Sequence, residues 1–394
     1  MPKTVMKKII TIGMIALLAV LLLLAGRYLM KSNDTPKEDA SENSYKTSSV
    51  MARHIKKPDF VRGIHLAGWV AGSRKRRERF YRLFRETELN TVVIAVKEYK
   101  GEVYLPGVKE AEDAGNFVNA MPDIEDYLKE LKELGVYTSA RIVVFKDDAL
   151  AKKNPHLAVK DPDGNVWKDR RGNSWTDPYN RDVWDYNLSI AERAFLIGFD
   201  EIQFDYIRFP SDGNTRLCRY SVKHTSITAI GAMQDFLKES HRRLKPLGAD
   251  ISICVFGLTT TVSHDMGIGQ RIIEMSEVID AVCPMVYPSH YNPGEYGLEN
   301  PNAMPYLTVY HSISGAVRRP GEMSNKIRPY LQDFSLGHKY GPEEVRAQIQ
   351  ACYDAGVYQW LLWDPNCRYS VDALHSKEEY NLFVSSITKY GVLQ

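Results

Sequence analysis

The 394-residue sequence predicts an α/β protein of the (β/α)8 class, a TIM barrel forming one domain behind an N-terminal transmembrane helix and a flexible tether. Three observations predict it. From Val61 onward, eight short β-branched runs alternate with amphipathic helical stretches, the pattern of a parallel sheet. Eight such units suggest closure into a barrel. An open doubly wound sheet would carry a glycine-rich phosphate turn after its first strand, and Leu66-Ala67-Gly68-Trp69-Val70 is not one.

Lys3, Lys7 and Lys8 make residues 1–8 a basic stub. The uncharged apolar run 9–26 is just long enough to span a bilayer core. Lysines ahead of it favour a cytoplasmic N-terminus, which puts the barrel outside the cell membrane on a single-pass anchor. The alternative is a cleaved secretory signal, although Ala25-Gly26-Arg27-Tyr28 is a poor cleavage site. Both readings export the rest. Residues 27–58 hold few large apolar groups and are expected to be a disordered tether. The barrel is expected over 59–394.

The expected strands are Val61–Leu66, Thr91–Lys97, Val136–Phe145, Glu201–Phe209, Ile251–Phe256, Ala281–Tyr287, Ile327–Phe334 and Tyr358–Trp363. Helical periodicity fills Ser73–Glu88, Ile124–Leu134, Asp182–Leu196, Ile227–Leu244, Gln270–Val278 and Pro342–Ala355. Gly135, Gly198, Gly248 and Gly356 stand where a helix closes before the next strand, a position that favours a left-handed residue.

Bulk composition narrows the function. The chain is 44% hydrophobic and 25% charged, and 51 Lys plus Arg against 49 Asp plus Glu leave a net charge of +2. A nucleic-acid protein would show a concentrated basic excess. Cys218, Cys254, Cys283, Cys352 and Cys367 form no Cys-x-x-Cys pair. Cys254 and Cys283 read as small buried hydrophobes, and a bridge among the other three stays open.

Barrel chemistry belongs at the C-terminal strand ends. In the fourth strand, alternation sends Gln203, Asp205 and Ile207 inward and Ile202, Phe204 and Tyr206 outward. An inward carboxylate near the top is costly to desolvate unless paired, which makes Asp205 the central candidate. Other strands end in Lys97-Glu98, Gln332-Asp333 and Trp363-Asp364, while Lys146-Asp147-Asp148 follows the third and Tyr287 to His290 the sixth. Glycoside hydrolysis needs two carboxyl groups, one to protonate the leaving oxygen and one to attack or activate water. Asp205 is therefore expected to work with Asp364, Asp333 or Glu98, in that order. The loop between Lys146 and Asn180 has a hairpin turn at Asp163-Gly164 and carries Trp167, Trp175 and Tyr179. Tyr287, Tyr291, Tyr296 and Tyr306 follow the sixth strand, and such flat faces suit sugar rings.

The segments ARIVVFKD (140–147), WTDPYNRDVWDYN (175–187), GFDEIQFDYIRFP (198–210), PMVYPSHY (284–291), RPYLQDF (328–334) and WLLWDP (360–365) resemble a bacterial family of glycosyl hydrolase-like barrel domains of unsettled substrate. The resemblance covers about residues 61–392 and implies a (β/α)8 barrel on envelope proteins. Members of that family often carry an acid where this chain has Ala95, and alternation puts Glu98 on the opposite strand face. More distantly, the chain is similar to chitinase-type barrels. Their Asp, Asp and Glu on alternate positions fall here on Gln203, Asp205 and Ile207, so only the middle acid remains.

Other signals are weaker. The arginines of Ser73–Glu88 read as the solvated face of an outer helix, with contact to anionic polymer or lipid as the sharper alternative. His65 ends the first strand without a His-x-His, and His264, His290 and His338 are dispersed, so no metal or other cofactor is expected. No Gly-x-Ser-x-Gly elbow supports serine hydrolase chemistry. The expected function is hydrolysis of an extracellular or cell-wall polysaccharide. Lys97, Arg141, Lys146, Asp147, Trp175, Gln203, Arg208, Tyr287, His290, Gln332 and Trp363 are expected to hold substrate or tune the acids. The alternative is a saccharide-binding barrel without turnover, motivated by Ala95 and Ile207.

Overall fold

The computed structural model describes residues 52–319 and 323–389. The basic stub, the apolar run and the tether as far as residue 51 lie outside them. No helix among the described residues is long and apolar enough to cross a membrane.

Eight parallel strands close into a barrel in chain order. They are β1 Arg62–Leu66, β2 Thr91–Lys97, β3 Tyr137–Val143, β4 Glu201–Asp205, β5 Asp250–Phe256, β6 Ala281–Met285, β7 Tyr330–Gln332 and β8 Trp360–Trp363. β1 pairs with both β2 and β8, which shuts the ring. Helices alternate with the strands: α1 Arg74–Glu86, α2 Ile124–Glu133, α3 Arg181–Leu196, α4 Ser226–Leu244, α5 Ile272–Ser276, α6 Pro305–Val317, α7 Pro342–Asp354 and α8 Lys377–Lys389.

The strands form because both faces are covered, so apolar runs rather than alternation mark them. All seven residues of β2 are buried. Outward side chains such as Ile64, Val92, Ile142 and Phe204 join one continuous core with the helices, including the Phe80, Leu83 and Phe84 stripe of α1. Inward Val93, Cys254, Cys283, Tyr330 and Leu361 form a separate cluster that fills the lumen. The barrel is packed, not a pore. Gly135, Gly198, Gly248 and Gly356 all have positive φ, as the helix closures required.

Several elements differ from expectation. β4 was expected through Phe209 but stops at Asp205, because Tyr206 turns left-handed at φ 52°. β7 was expected over Ile327–Phe334 and keeps only three residues, with Ile327 reduced to an isolated bridge to Val282. α5 is shorter than Gln270–Val278. The Gln270 side chain instead accepts from the Phe256 amide at 3.0 Å and so caps β5. α6 falls in the tyrosine-rich stretch that carried no helical expectation. Pro305 supplies its first turn, and the helix packs against α7.

The last part of the expected tether, residues 52–58, lies against the N-terminal end of the barrel. The Ile55 amide donates to Asp200 at 2.9 Å, and His54 stacks on Phe195 at 4.1 Å. All five cysteines are free and buried, so no bridge joins Cys218, Cys352 and Cys367.

Candidate active site at the barrel mouth

Two backbone irregularities build the mouth. In β2 the pairing with β3 runs Ala95↔Arg141 and then Lys97↔Ile142, so one extra residue is inserted at Val96. A bulge of this kind reverses the faces beyond it. Lys97 is thereby sent outward. Its ammonium donates to the Val143 carbonyl at 2.6 Å and to Asn187 of α3 at 3.0 Å, and it pairs with Asp147 at 2.8 Å. Glu98, expected on the opposite face, is sent inward. In β4 the left-handed Tyr206 ends the alternation after Asp205. Ile207 consequently joins the outer core instead of facing the lumen, so its position is no measure of a missing acid.

Arg141 of β3 occupies the centre. It donates from Nε and Nη2 to Asp205 Oδ2 at 3.0 and 2.6 Å, and from Nη1 to Glu98 Oε2 at 3.4 Å. Both acids share one planar guanidinium, so the contacted oxygens lie at most about 8 Å apart. That bound is compatible with the separations of retaining and inverting glycosidases, about 5–5.5 Å and about 6.5–9.5 Å. The other Asp205 oxygen accepts from the Tyr206 amide at 2.7 Å. Glu98 is the more open of the two, with 23% of its side chain exposed against 6% for Asp205.

Below them the lumen is sealed. Gln203 accepts from the Tyr330 hydroxyl at 2.7 Å and reaches Ser252 at 3.3 Å, which makes it floor rather than ligand. Two other predicted contacts are also internal. Asp147 caps the short helix Asp148–Lys153 and balances Lys97. Gln332 accepts from the Ser289 amide at 3.0 Å and ties the loop after β6 to β7.

Asp333 and Asp364 neighbour each other but not Arg141. Asp333 accepts from the Ser370 amide and hydroxyl at 2.8 and 2.7 Å. Asp364 accepts from the amides of Asn366 and Arg368 at 2.8 and 2.9 Å. Both hold the loop after β8. Burial, aided by the charge of Asp364, pushes Asp333 up to about 6. Of the three expected partners, Glu98 is the one that shares Arg141 with Asp205.

The remaining predicted residues gather near the C-terminal strand ends, most of them buried. Tyr287 stacks on Trp363 at 5.4 Å, with His290 edge-on to Tyr287 at 5.3 Å. Burial holds the His290 imidazole below its usual range. Lys146 pairs with Asp169 at 2.9 Å and lies over the rings of Tyr99, Trp175 and Tyr206. Arg208 lies over Trp175, Tyr206 and Phe256.

Sequence reasoning missed three groups. His65 is the last inward position of β1, and neither ring nitrogen has a hydrogen-bond partner among the described residues. Burial, and then the charge of Arg141, hold its pKa well below the usual value, so it stands neutral beside Arg141. Trp69 and Tyr99, on the loops after β1 and β2, are the aromatics left open, at 55% and 39% exposure. Several expected stacking aromatics are spent inside the protein. Trp167 donates to the Asn214 carbonyl at 3.2 Å, and Tyr291 and Tyr296 share the Ser312 hydroxyl. The signal for the open pair was adjacency: each follows within four residues of a short strand's end. A separate cleft of about 620 Å³, lined by His54, Asp59, Phe195, Asp200 and Asp250 among others, lies at the opposite, N-terminal end. No cluster of His, Cys, Asp and Glu fit to hold a metal ion occurs among the described residues.

The family described as "Putative glycosyl hydrolase domain" matches over residues 63–369. No curated protein matches in sequence. A hypothetical protein from Ruminiclostridium thermocellum ATCC 27405 is 32% identical, covering 48% of this chain and 96% of that one, at a TM-score of 0.45. The glycoside hydrolase domain of PgaB (BpsB) from Bordetella bronchiseptica is 12% identical over 80% of this chain and 99% of its own, with a TM-score of 0.58. The α-galactosidase TtGalA from Thermus thermophilus is 12% identical over 85% of this chain and 63% of its own, with a TM-score of 0.50. At 12% identity these likenesses speak to the fold alone.

Proposed function

The chain belongs to the glycosyl hydrolase-like barrel domain family that matches residues 63–369, and from that premise we propose that it hydrolyses glycosidic bonds in an extracellular or cell-wall polysaccharide. The observation that carries the reading is the arginine between two acids: Arg141 joins Asp205 and Glu98 above a sealed lumen. Asp205, doubly held by Arg141, is the fixed carboxylate that acts as nucleophile or charge stabiliser. Glu98, held by one long contact and more exposed, exchanges protons with the leaving oxygen or with water. Proton transfer by a positioned carboxyl contributes about 10²–10⁴-fold. Neutral His65 and Tyr287 face the same space, while Trp69 and Tyr99 offer flat surfaces to the sugar. The apolar run 9–26 anchors the barrel at the outer membrane face in this reading, or is removed on export.

The test is release of reducing ends from wall polysaccharides by the full-length chain. Wild type is expected to release them, Asp205→Asn to abolish release, and Glu98→Gln to reduce it about 10²-fold or more. Release undiminished in both variants overturns the assignment. One observation favours a second reading, a saccharide-binding barrel without turnover. Both Asp205 oxygens are already engaged within the protein. Binding by wild type with no release, unchanged by Asp205→Asn, selects that reading.

A further inference from the structure

Buried cations in this protein are paired. Arg62 meets Glu88, Arg77 meets Asp123, Lys97 meets Asp147, Lys132 meets Asp200, Lys146 meets Asp169 and Arg328 meets Glu201. The pattern follows from physics, because an isolated buried charge is costly. Arg208 breaks it. It is only 7% exposed, yet no carboxylate among the described residues pairs with it. The acids whose fields reach it are Asp205, Asp212 and Asp169, and each is committed elsewhere, to Arg141, Arg170 and Lys146.

The surroundings of Arg208 are built rather than incidental. Its guanidinium lies 4.9, 4.8 and 4.7 Å from the ring centres of Trp175, Tyr206 and Phe256. Aromatic faces recover part of the lost solvation and hold the guanidinium in place. Nη1 donates to the Phe209 carbonyl at 3.1 Å and to Ser211 at 2.9 Å. Nε and Nη2 donate to no described group, and neither is among the atoms sealed from solvent. The one edge left open is the edge that engages a planar carboxylate with two parallel hydrogen bonds. A hydroxyl could satisfy only part of it and would leave the charge unbalanced.

Arg208 stands three residues beyond Asp205, on the segment that leaves β4. We propose that its open edge is a subsite for the carboxylate of an acidic sugar, so that the glycan taken at this mouth is an anionic one. The inference rests on the saccharide reading above and narrows it to a substrate class. The carboxylate could belong to a uronic acid or to an acid-bearing ether on an amino sugar. Both present the same planar anion.

The test is calorimetric titration of the full-length chain in detergent. The probes are a glucuronate oligosaccharide, a peptide-free glycan strand carrying muramic acid, and each of these after reduction of its carboxyl groups to alcohols. Wild type is expected to bind at least one acidic probe about tenfold or more tightly than its reduced form. Which acidic probe gains identifies the source of the carboxylate. Arg208→Gln is expected to erase the difference between each acidic probe and its reduced form. Equal affinity of wild type for acidic and reduced forms overturns the subsite and leaves the saccharide reading standing. Binding of none of the probes overturns both. The wild-type comparison decides the matter even if the variant fails to fold.

Discussion

Strand β4 carries two inward carboxylates, Glu201 at its start and Asp205 at its end, and each meets an arginine. At the lower site Arg328 donates to both Glu201 oxygens at 2.9 and 2.8 Å, and Ser139 and Ser252 donate at 3.0 and 2.7 Å. Every bond to Glu201 comes from the protein, and nothing reaches solvent. At the upper site one arginine is divided between two acids, and one of those acids remains partly open. The same ion-pair chemistry serves cohesion at one end of the lumen and leaves reactivity available at the other. This is the division of labour expected between the two faces of such a barrel.

That contrast can be broken most forcefully from below. Arg328→Ala strands the Glu201 charge in a closed interior and is expected to cost about 3–5 kcal/mol in urea unfolding. A loss below about 1 kcal/mol would erase the distinction between the two ends. A smaller effect is expected at Asp333, whose folded pKa is raised to about 6 by burial. The folded state then binds a proton that the unfolded chain has released. Asp333 therefore favours folding below about pH 4, and the benefit is lost as pH rises through about 6, a change on the order of 2–3 kcal/mol. Asp333→Asn should flatten unfolding free energy between pH 4 and 6. An unaltered slope would show that the group titrates normally.

Glu98→Gln sharpens the comparison from above. Its partner contact is long and partly exposed, so stability should move by less than about 1 kcal/mol. Turnover should nonetheless fall about 10²-fold or more. If melting and turnover fall together, Glu98 is structural like Glu201. Trp69→Ala is expected to be the mildest in unfolding, within about 0.5 kcal/mol for an exposed side chain. It should still weaken glycan affinity in titration, and an unchanged affinity would remove Trp69 from the sugar platform.

Much of this architecture was legible in the chain. The β-branched runs, the helix-closing glycines and the inward direction of Asp205 each depend on local chemistry. The hairpin at Asp163-Gly164 did too, and the bridge between Lys160 and Val166 encloses it. The partner of Asp205 was not legible. Strict alternation sends Lys97 inward and Glu98 outward, and a single extra residue at Val96 exchanges them. Asp333 and Asp364 looked equally suitable, since a strand-end acid that caps its own loop has the same local sequence as one that faces substrate.

The order of strands and helices, the lumen-facing identity of Asp205 and the apolar composition of both cores were set by the sequence alone, because periodicity and backbone preference act over a few residues. Tertiary structure alone decided which carboxylate shares Arg141, which aromatics stay open and which buried arginine among the described residues is left without a counter-ion. Those outcomes depend on closing the ring, where a one-residue shift in register decides which side chains of distant strands come face to face.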